Sequence, residues 1–423
     1  MTLRRLLERP LNYTGRSMRW GCVVVSLALA ACLAAPPPNT VIEEPPPDAT
    51  PPGGSPIALN GLAAHGALTI GGRDDLVLIG QRDGLPVAIV LSPEGPLFKD
   101  VTASAITLPY DPVDLVITRW ASLTRLAVAL GPGGPLQAID QDGALIELAL
   151  TEEGSSPAAP FTRLGQINAD NHRLLLSDDQ EFYVSDPLGT GNPGEQPIDL
   201  VFLGGAPGPL LLAGANSTST AGIGIIKEDN EIDVHAFSEV DVPAVGDDLA
   251  LDQTTPSPLS RPFWRMVGMS MVLLGIDPSR TGIWYHSTPL SDGEIATGIE
   301  EVPGVDEIHD LLMTRLDGTV VELILLAEMA GQLQVMVYLN PEATPALETP
   351  LVLPISGLTP PYWIEAMDAV ADGGAQNEII VYDQAGHIAC VDLVNELPES
   401  CGSLDLAAAV TLSGASTSGR PGW

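Results

Sequence analysis

The sequence has few aromatic and few basic residues, and it offers no extended helical pattern. Phe, Trp and Tyr make up 4% of the 423 residues, and 18 Lys plus Arg stand against 54 Asp plus Glu. The formal net charge of −36 argues against a nucleic-acid-binding protein, because neutralising phosphates requires a basic surface. With 43 Gly and 39 Pro, the chain is too interrupted for a helical bundle. The 45% apolar fraction nevertheless predicts a folded core rather than disorder.

Residues 1–31 have the pattern of an export signal. A basic lead containing Arg4 and Arg19 precedes the apolar run from Gly21 to Cys32. This run is shorter than the roughly 20 residues of a transmembrane helix and suits the apolar region of a signal peptide. A plain cleaved signal and a short membrane anchor are the alternatives.

The end of this run, Leu29-Ala30-Ala31-Cys32, resembles the lipobox of bacterial lipoproteins. The resemblance implies cleavage before Cys32 and a diacylglycerol thioether on its sulfur, so that the protein is attached to a membrane of the bacterial cell envelope. Residue 33 is Leu rather than the Asp that retains some lipoproteins at the inner membrane. We therefore expect the outer membrane.

Two proline- or glycine-rich segments flank the body of the chain. Residues 32–56 hold nine prolines between positions 36 and 56, which favours a semi-rigid polyproline II tether after the lipidated Cys32. Residues 413–423 are predicted to be a disordered tail. In an exported body, Cys390 and Cys401 meet oxidising conditions and are expected to form a disulfide, with two unpaired thiols as the alternative.

Residues 57–412 consist of short apolar runs separated by Gly, Pro, Asp and Asn, a pattern typical of strands and turns. Seven hairpin-like units can be counted, with first strands beginning near residues 75, 114, 174, 199, 271, 310 and 378. Their average spacing near 50 residues predicts an all-β fold, a seven-bladed β-propeller, with tandem β-sandwiches as the alternative. In a propeller each blade is covered on both faces, so inner strands are continuously apolar, and we expect the acidic turn residues at solvated rims.

Runs such as Asp75-Leu76-Val77-Leu78 and Asp114-Leu115-Val116-Ile117 resemble degenerate FG-GAP or VCBS repeats. The best match is the Asp368–Gly373 loop before Glu378. In that family such loops can hold calcium, so the resemblance implies Asp368 and Asp372 as candidate ligands. It also implies a propeller used for adhesion, for ligand binding or as an enzyme appendage.

The sequence supplies no catalytic signature. The six histidines are not spaced as a local zinc pair, and we expect a surface or hydrogen-bonded structural role for each of them; they are His65, His172, His235, His286, His309 and His387. Gly189-Thr190-Gly191-Asn192-Pro193-Gly194 matches a dinucleotide fingerprint formally, but a strand rather than a helix is expected after it. Trp120, Trp264, Trp284 and Trp363 are candidates for stacking on sugars, although core packing is commoner.

These observations predict a non-catalytic, envelope-anchored lipoprotein whose propeller binds a protein or glycan partner. No cofactor is expected apart from calcium at Asp368 and Asp372. The membrane is contacted through the lipid on Cys32, and nucleic acid is not a partner. Two alternatives remain: an envelope-associated polysaccharide hydrolase or lyase, and a calcium-stabilised adhesin.

Overall fold

The structure is a computed structural model that describes residues 56–412 with internal gaps. The gaps are residues 67, 69–73, 96, 121–123, 141, 153–159, 168–172, 179–180, 187, 189–191, 206–212, 217–219, 227–230, 239–250, 255–259, 268–269, 290–295, 315, 317–321, 340–348, 369–376 and 395–396. The predicted signal peptide, Cys32, the tether up to residue 55 and the tail after Leu412 lie outside the described residues.

The strands of this described region form seven sheets, each built on four antiparallel strands in chain order. Blades 1 and 2 contain β1 (Ile57–Gly66), β2 (Asp75–Arg82), β3 (Leu85–Pro93), β4 (Val101–Thr107), β5 (Asp114–Trp120), β6 (Thr124–Leu130), β7 (Leu136–Ile139) and β8 (Leu145–Leu148). After β9 (Leu150–Glu152), blades 3 and 4 contain β10 (Arg163–Ile167), β11 (Arg173–Ser177), β12 (Glu181–Ser185), β13 (Ile198–Gly205), β14 (Ala213–Asn216), β15 (Thr220–Ile226), β16 (Glu231–Ser238) and β17 (Leu251–Thr254).

The remaining three blades follow the same order. Blades 5 and 6 contain β18 (Ser260–Val267), β19 (Ser270–Ile276), β20 (Gly282–Pro289), β21 (Ala296–Glu301), β22 (Glu307–Thr314), β23 (Glu322–Met329), β24 (Gln332–Tyr338) and β25 (Leu351–Pro354). Blade 7 contains β26 (Tyr362–Met367), β27 (Glu378–Asp383), β28 (His387–Val394) and β29 (Leu397–Asp405), and α1 (Leu406–Ala409) and β30 (Thr411–Leu412) follow it. A 3-10 turn, Phe98–Asp100, precedes β4.

The seven sheets close into a ring. Each innermost strand contacts the innermost strand of the next blade, and β26 of blade 7 contacts β1 of blade 1. The innermost strands begin 47 to 57 residues apart. The prediction of an all-β, seven-bladed propeller is therefore confirmed.

Two blades carry a fifth strand on their outer edge. β9 follows blade 2 and pairs in parallel with β13, the outer strand of blade 3. β30 follows blade 7 and pairs in parallel with β4, the outer strand of blade 1. Each of these strands joins a blade to the outside of the next one, and β30 does so where the ring closes.

One of the seven predicted hairpin units is wrong. The run Asp199–Leu203 is part of β13, the outer strand of blade 3, which already contains the unit near residue 174. Blade 4, formed by β14 to β17, was not recognised. The intervals between the predicted hairpin units were irregular because the units correspond to different strands of their blades. The unit near residue 114 is the first and second strands of blade 2, whereas the unit near residue 75 is the second and third strands of blade 1.

Blade 1 packs through both of its faces. On β2, Leu76 and Leu78 belong to the core shared with blade 7, whereas Val77 and Ile79 belong to the core shared with blade 2. All four side chains are fully buried. This two-sided burial explains why the strands are continuously apolar instead of alternating.

Aspartates that open several apolar runs lie within the innermost strands and join adjacent blades. Asp114 on β5 accepts a hydrogen bond from the Leu164 backbone N–H of blade 3 (2.9 Å). Asp310 on β22, 1% exposed, accepts one from the Ile364 N–H of blade 7 (3.0 Å). A buried carboxylate is retained because it satisfies backbone donors that water cannot reach.

A tryptophan occupies the corresponding joint between blades 7 and 1. Trp363 lies next to Ile364 on β26, and its indole reaches Gly61 on β1. Gly61 has φ = +83°, and a side chain there would collide with the indole. The ring of Trp363 also stacks on Tyr382, 5.6 Å away between centroids.

Candidate functional site

A group of polar side chains lies at the end of the propeller where the innermost strands begin. We call it the rim cluster; it comprises Arg280, Glu307, His309, Glu328 and Tyr362. Arg280 belongs to blade 5 and Tyr362 to blade 7, while the other three are on blade 6. The cluster therefore spans two joints between blades.

Arg280 is placed by a turn that Asp277 organises. The Asp277 carboxylate accepts hydrogen bonds from the Gly282 N–H (2.9 Å), the Thr281 N–H (3.2 Å) and the Ser279 hydroxyl (2.6 Å). Burial alone would raise the pKa of Asp277, but these hydrogen bonds hold it below its ordinary value. The turn leaves Arg280 with φ = +60°, a conformation that residues other than Gly adopt infrequently.

Arg280 then connects blade 5 to blade 6 in two ways. Its carbonyl accepts a hydrogen bond from the Ile308 N–H (2.7 Å), and its Nη2 donates to the Ile308 carbonyl (2.9 Å). Its Nε lies 2.8 Å from Glu307 Oε1. The guanidinium is consequently held in a fixed position although it is partly exposed.

His309 is the extra residue in a bulge of β22. Ile308 and Asp310 face consecutive residues of β23, so His309 has no partner in the strand register. Its Nε2 lies 3.5 Å from Glu328 Oε1, and its Nδ1 lies 4.0 Å from Glu307 Oε1. The first contact is within ion-pair range, but its geometry is not that of a hydrogen bond, and Nε2 is buried.

Tyr362 closes the cluster on the side of blade 7. Its ring meets the His309 imidazole edge to face, with centroids 5.0 Å apart. Burial raises the pKa of Tyr362, and the negative charges of Glu328 and Asp383 raise it further. The phenol is therefore a neutral hydrogen-bonding group at neutral pH.

The rim cluster presents charges of both signs to solvent. The side chains of Arg280, Glu307 and Glu328 are 39%, 43% and 33% exposed, whereas that of His309 is 11% exposed. Hydrogen-bond donors and acceptors thus stand together on a surface that the blade joints hold rigid. Such a surface can recognise amides, hydroxyls or charged groups of a partner.

The structure brings one predicted pair together. Cys390 on β28 and Cys401 on β29 are disulfide-bonded, with Cα atoms 5.2 Å apart.

Asp368 directly follows β26, but Asp372 lies outside the described residues, so a calcium site at this pair stays a prediction. In the described parts of the chain, no group of three or more His, Cys, Asp or Glu side chains is arranged to hold a metal ion.

The three tryptophans with described side chains pack against the propeller core or at a joint between blades. Trp120 and Trp284 are buried, and Trp363 contacts Gly61 and Tyr382. Trp264 lies outside the described side chains. The rings of Trp120 and Trp284 are therefore inaccessible to a sugar, whereas Trp363 is partly buried.

His286 has the structural role that we expected of it. It is fully buried, stacks on Trp284 and shares a 2.8 Å hydrogen bond with the Thr297 hydroxyl. Burial lowers the pKa of His286 to about 4, so the imidazole is neutral at neutral pH.

The rim cluster was not predicted from the sequence. Glu307 and His309 are two residues apart, which places them on one side of a strand, and this was the one local signal available. Arg280 and Glu328 come from other strands or turns, and only the fold brings them to His309.

The chain matches no protein-family model, and it matches no curated protein. Among solved structures it is similar to BBS1N in complex with ARL6DN, at 12% identity over 78% of this chain and 90% of that chain, with a TM-score of 0.48. It is similar to prolyl oligopeptidase B from Galerina marginata at 9% identity, over 82% of this chain and 52% of that one, with a TM-score of 0.46.

A third similar structure is the WD40 domain of SCAP from fission yeast, at 11% identity over 64% of this chain and 58% of that chain, with a TM-score of 0.41. No helix in the described part of the chain is both long and apolar enough to cross a membrane. The propeller assignment rests on the strand pairing and ring closure described above.

Proposed function

We propose that this chain is a lipid-anchored protein of the bacterial cell envelope whose propeller binds a protein or glycan partner without catalysis of its own. The observation that carries the binding role is the rim cluster. It gathers partly exposed charges of both signs at the joints of three blades.

Rigidity makes the rim cluster suitable for recognition. Arg280 is hydrogen-bonded to the backbone of blade 6, and Glu307 is paired with Arg280. Side chains that are already ordered lose little conformational entropy when a partner binds. The exposed carboxylates and the guanidinium then offer acceptors and donors to a partner's amides or hydroxyls.

The anchoring part of the proposal is supported by the sequence. Leu29-Ala30-Ala31-Cys32 resembles a lipobox, and several acyl chains on Cys32 suit stable attachment, at about 0.8 kcal/mol for each buried methylene. The proline-rich segment that follows favours an extended tether. The propeller would then act close to the membrane, for which we propose the outer membrane.

The charge of the chain narrows the class of partner. With a formal net charge of −36, the protein repels polyanions and attracts groups of positive charge. A protein with basic side chains and an uncharged glycan both remain compatible with the rim cluster, whereas nucleic acid does not.

The test is crosslinked affinity purification from native envelopes with the wild-type chain and the Cys32→Ala variant. We expect one envelope protein to be captured reproducibly by the wild-type lipoprotein and to be depleted with Cys32→Ala, or a purified glycan to be retained by both. Absence of any captured protein or glycan contradicts the binding role. Product release from a polysaccharide by the purified protein contradicts the non-catalytic role.

A further inference from the structure

The ring closes where blade 7 meets blade 1, and non-covalent contacts hold this joint together. The Leu59 N–H of β1 donates to the Gln384 carbonyl of blade 7 (2.9 Å). Gln384 lies in the turn between β27 and β28. The strength of this joint therefore depends on how firmly that turn is held.

A histidine–aspartate pair holds this turn. His387 Nδ1 lies 2.9 Å from Asp383 Oδ2, and the His387 N–H donates to Asp383 Oδ1 (2.9 Å). Asp383 is fully buried and also accepts hydrogen bonds from the Thr359 N–H and hydroxyl, which come from the connection between blades 6 and 7. The hydrogen bond with Asp383 raises the pKa of His387, and the charge of Asp405 acts in the same direction.

A second histidine–carboxylate pair crosses the same joint directly. His65 Nδ1 on β1 lies 3.2 Å from Glu365 Oε2 on β26. The two side chains are 40% and 21% exposed, so the imidazole can exchange protons with solvent. Both pairs gain a favourable charge interaction when the imidazole is protonated, because each imidazole lies beside a carboxylate.

We propose that mild acidification tightens the joint between blades 7 and 1, because protonated His65 and His387 pair with Glu365 and Asp383. For His387, whose folded-state pKa is raised, the added stability is complete below the unfolded value near 6.5 and is lost as the pH rises through the folded value. The joint between blades 2 and 3 serves as the comparison. There the Leu164 backbone N–H is bound by the Asp114 carboxylate and not through a turn held by a histidine–carboxylate pair.

Hydrogen exchange of the full-length chain in detergent tests this inference. The readout is the protection factor, corrected for the intrinsic exchange rate at each pH, in peptides that contain Leu59 and in peptides that contain Leu164. We expect the protection at Leu59 to rise about three- to tenfold from pH 8 to pH 6, the range given by two partly exposed ion pairs. Protection at Leu164 should change much less.

Variants separate the ion pairs from general effects of pH. In His65→Gln with His387→Gln, the rise at Leu59 should disappear while Leu164 behaves as in the wild type. Glu365→Gln alone should reduce the rise in protection at Leu59. It provides the test if the double histidine variant folds poorly. An unchanged protection at Leu59 between pH 8 and pH 6 in the wild type overturns the inference, as does an equal rise in the double variant.

Discussion

Gly61 lies in the joint between blades 7 and 1 at a position that has no room for a side chain. Its φ is +83°, and a Cβ there would collide with the indole of Trp363. We predict that Gly61→Ala lowers the free energy of unfolding by about 2 to 4 kcal/mol, from backbone strain together with overpacking. Urea unfolding of the full chain measures this loss.

Gly84 provides a matched control for Gly61. It also has a positive φ, +75°, but no heavy atom lies within 4 Å of the position of a Cβ. Gly84→Ala should therefore lower the free energy of unfolding by about 1 kcal/mol, from backbone strain alone. Equal losses for the two variants would show that Trp363 does not press on Gly61.

His286 gives a prediction of pH dependence. Burial lowers its pKa to about 4 from the ordinary 6.5, so the unfolded chain takes up a proton first as the pH falls. Stability from this group is present above pH 6.5 and is lost below it, by about 2 to 3 kcal/mol at pH 4.5.

The comparison is between the wild type and His286→Gln, which keeps a polar group facing the Thr297 hydroxyl. The stability advantage of the wild type over the variant, measured by urea unfolding, should shrink between pH 7.5 and pH 4.5. An advantage that is the same at both pH values contradicts a buried neutral imidazole.

Residue roles were partly accessible from the sequence. A structural role for His286 followed from the absence of a second histidine at the spacing of a local zinc pair. The contacts of His309 were not accessible, because Glu328 lies on another strand and the bulge that turns His309 aside is not encoded by a local motif.

At the scale of the strands, buried aspartates connect one blade to the next. Asp310 accepts hydrogen bonds from the Ile364 N–H and the Leu311 N–H. We predict that Asp310→Ala lowers the free energy of unfolding by about 2 to 5 kcal/mol, because both donors lose their carboxylate partner inside the core. Asp310→Asn, which keeps one acceptor oxygen, should lose less.

Asp142 is the control for this prediction, since its side chain is exposed in the turn before β8. Asp142→Ala should change the midpoint of unfolding in guanidinium chloride only slightly. If Asp310→Ala and Asp142→Ala unfold at the same guanidinium chloride concentration, the hydrogen bonds of Asp310 between blades 6 and 7 do not contribute to the free energy of unfolding.

The disulfide between β28 and β29 gives a second prediction at this scale. The cysteines are 11 residues apart, so the closed loop is short. Removing the bond in Cys390→Ala with Cys401→Ala should cost about 2 to 3 kcal/mol. Reduced wild-type protein should melt like the double variant, and titration of two free thiols in the native protein would contradict the pairing.

Strand pairs were predictable because blades are covered on both faces, which produces apolar runs such as β2 and β27. Blade 4 was missed because β14 and β15, Ala213–Asn216 and Thr220–Ile226, are rich in Gly and Ala and lack a strong apolar run. The buried position of Asp310 was not predictable, since an aspartate before an apolar run is equally typical of a solvated turn.

At the scale of the whole molecule, the ring provides a rigid support on which charged side chains from different blades are brought together. With a formal net charge of −36 the molecule repels polyanions, and the proposed anchoring through the lipobox-like Leu29–Cys32 would place this support near a membrane. The rim cluster is the part of the molecule that we hold responsible for binding.

The most direct test compares two double variants in the envelope capture experiment. Glu307→Gln with Glu328→Gln removes the two partly exposed carboxylates of the rim cluster, whereas Asp142→Asn with Glu399→Gln removes the same charge from exposed positions elsewhere. We predict that the rim variant loses partner capture about tenfold or more and that the control variant captures like the wild type. Equal capture by the rim variant and the wild type would contradict the account.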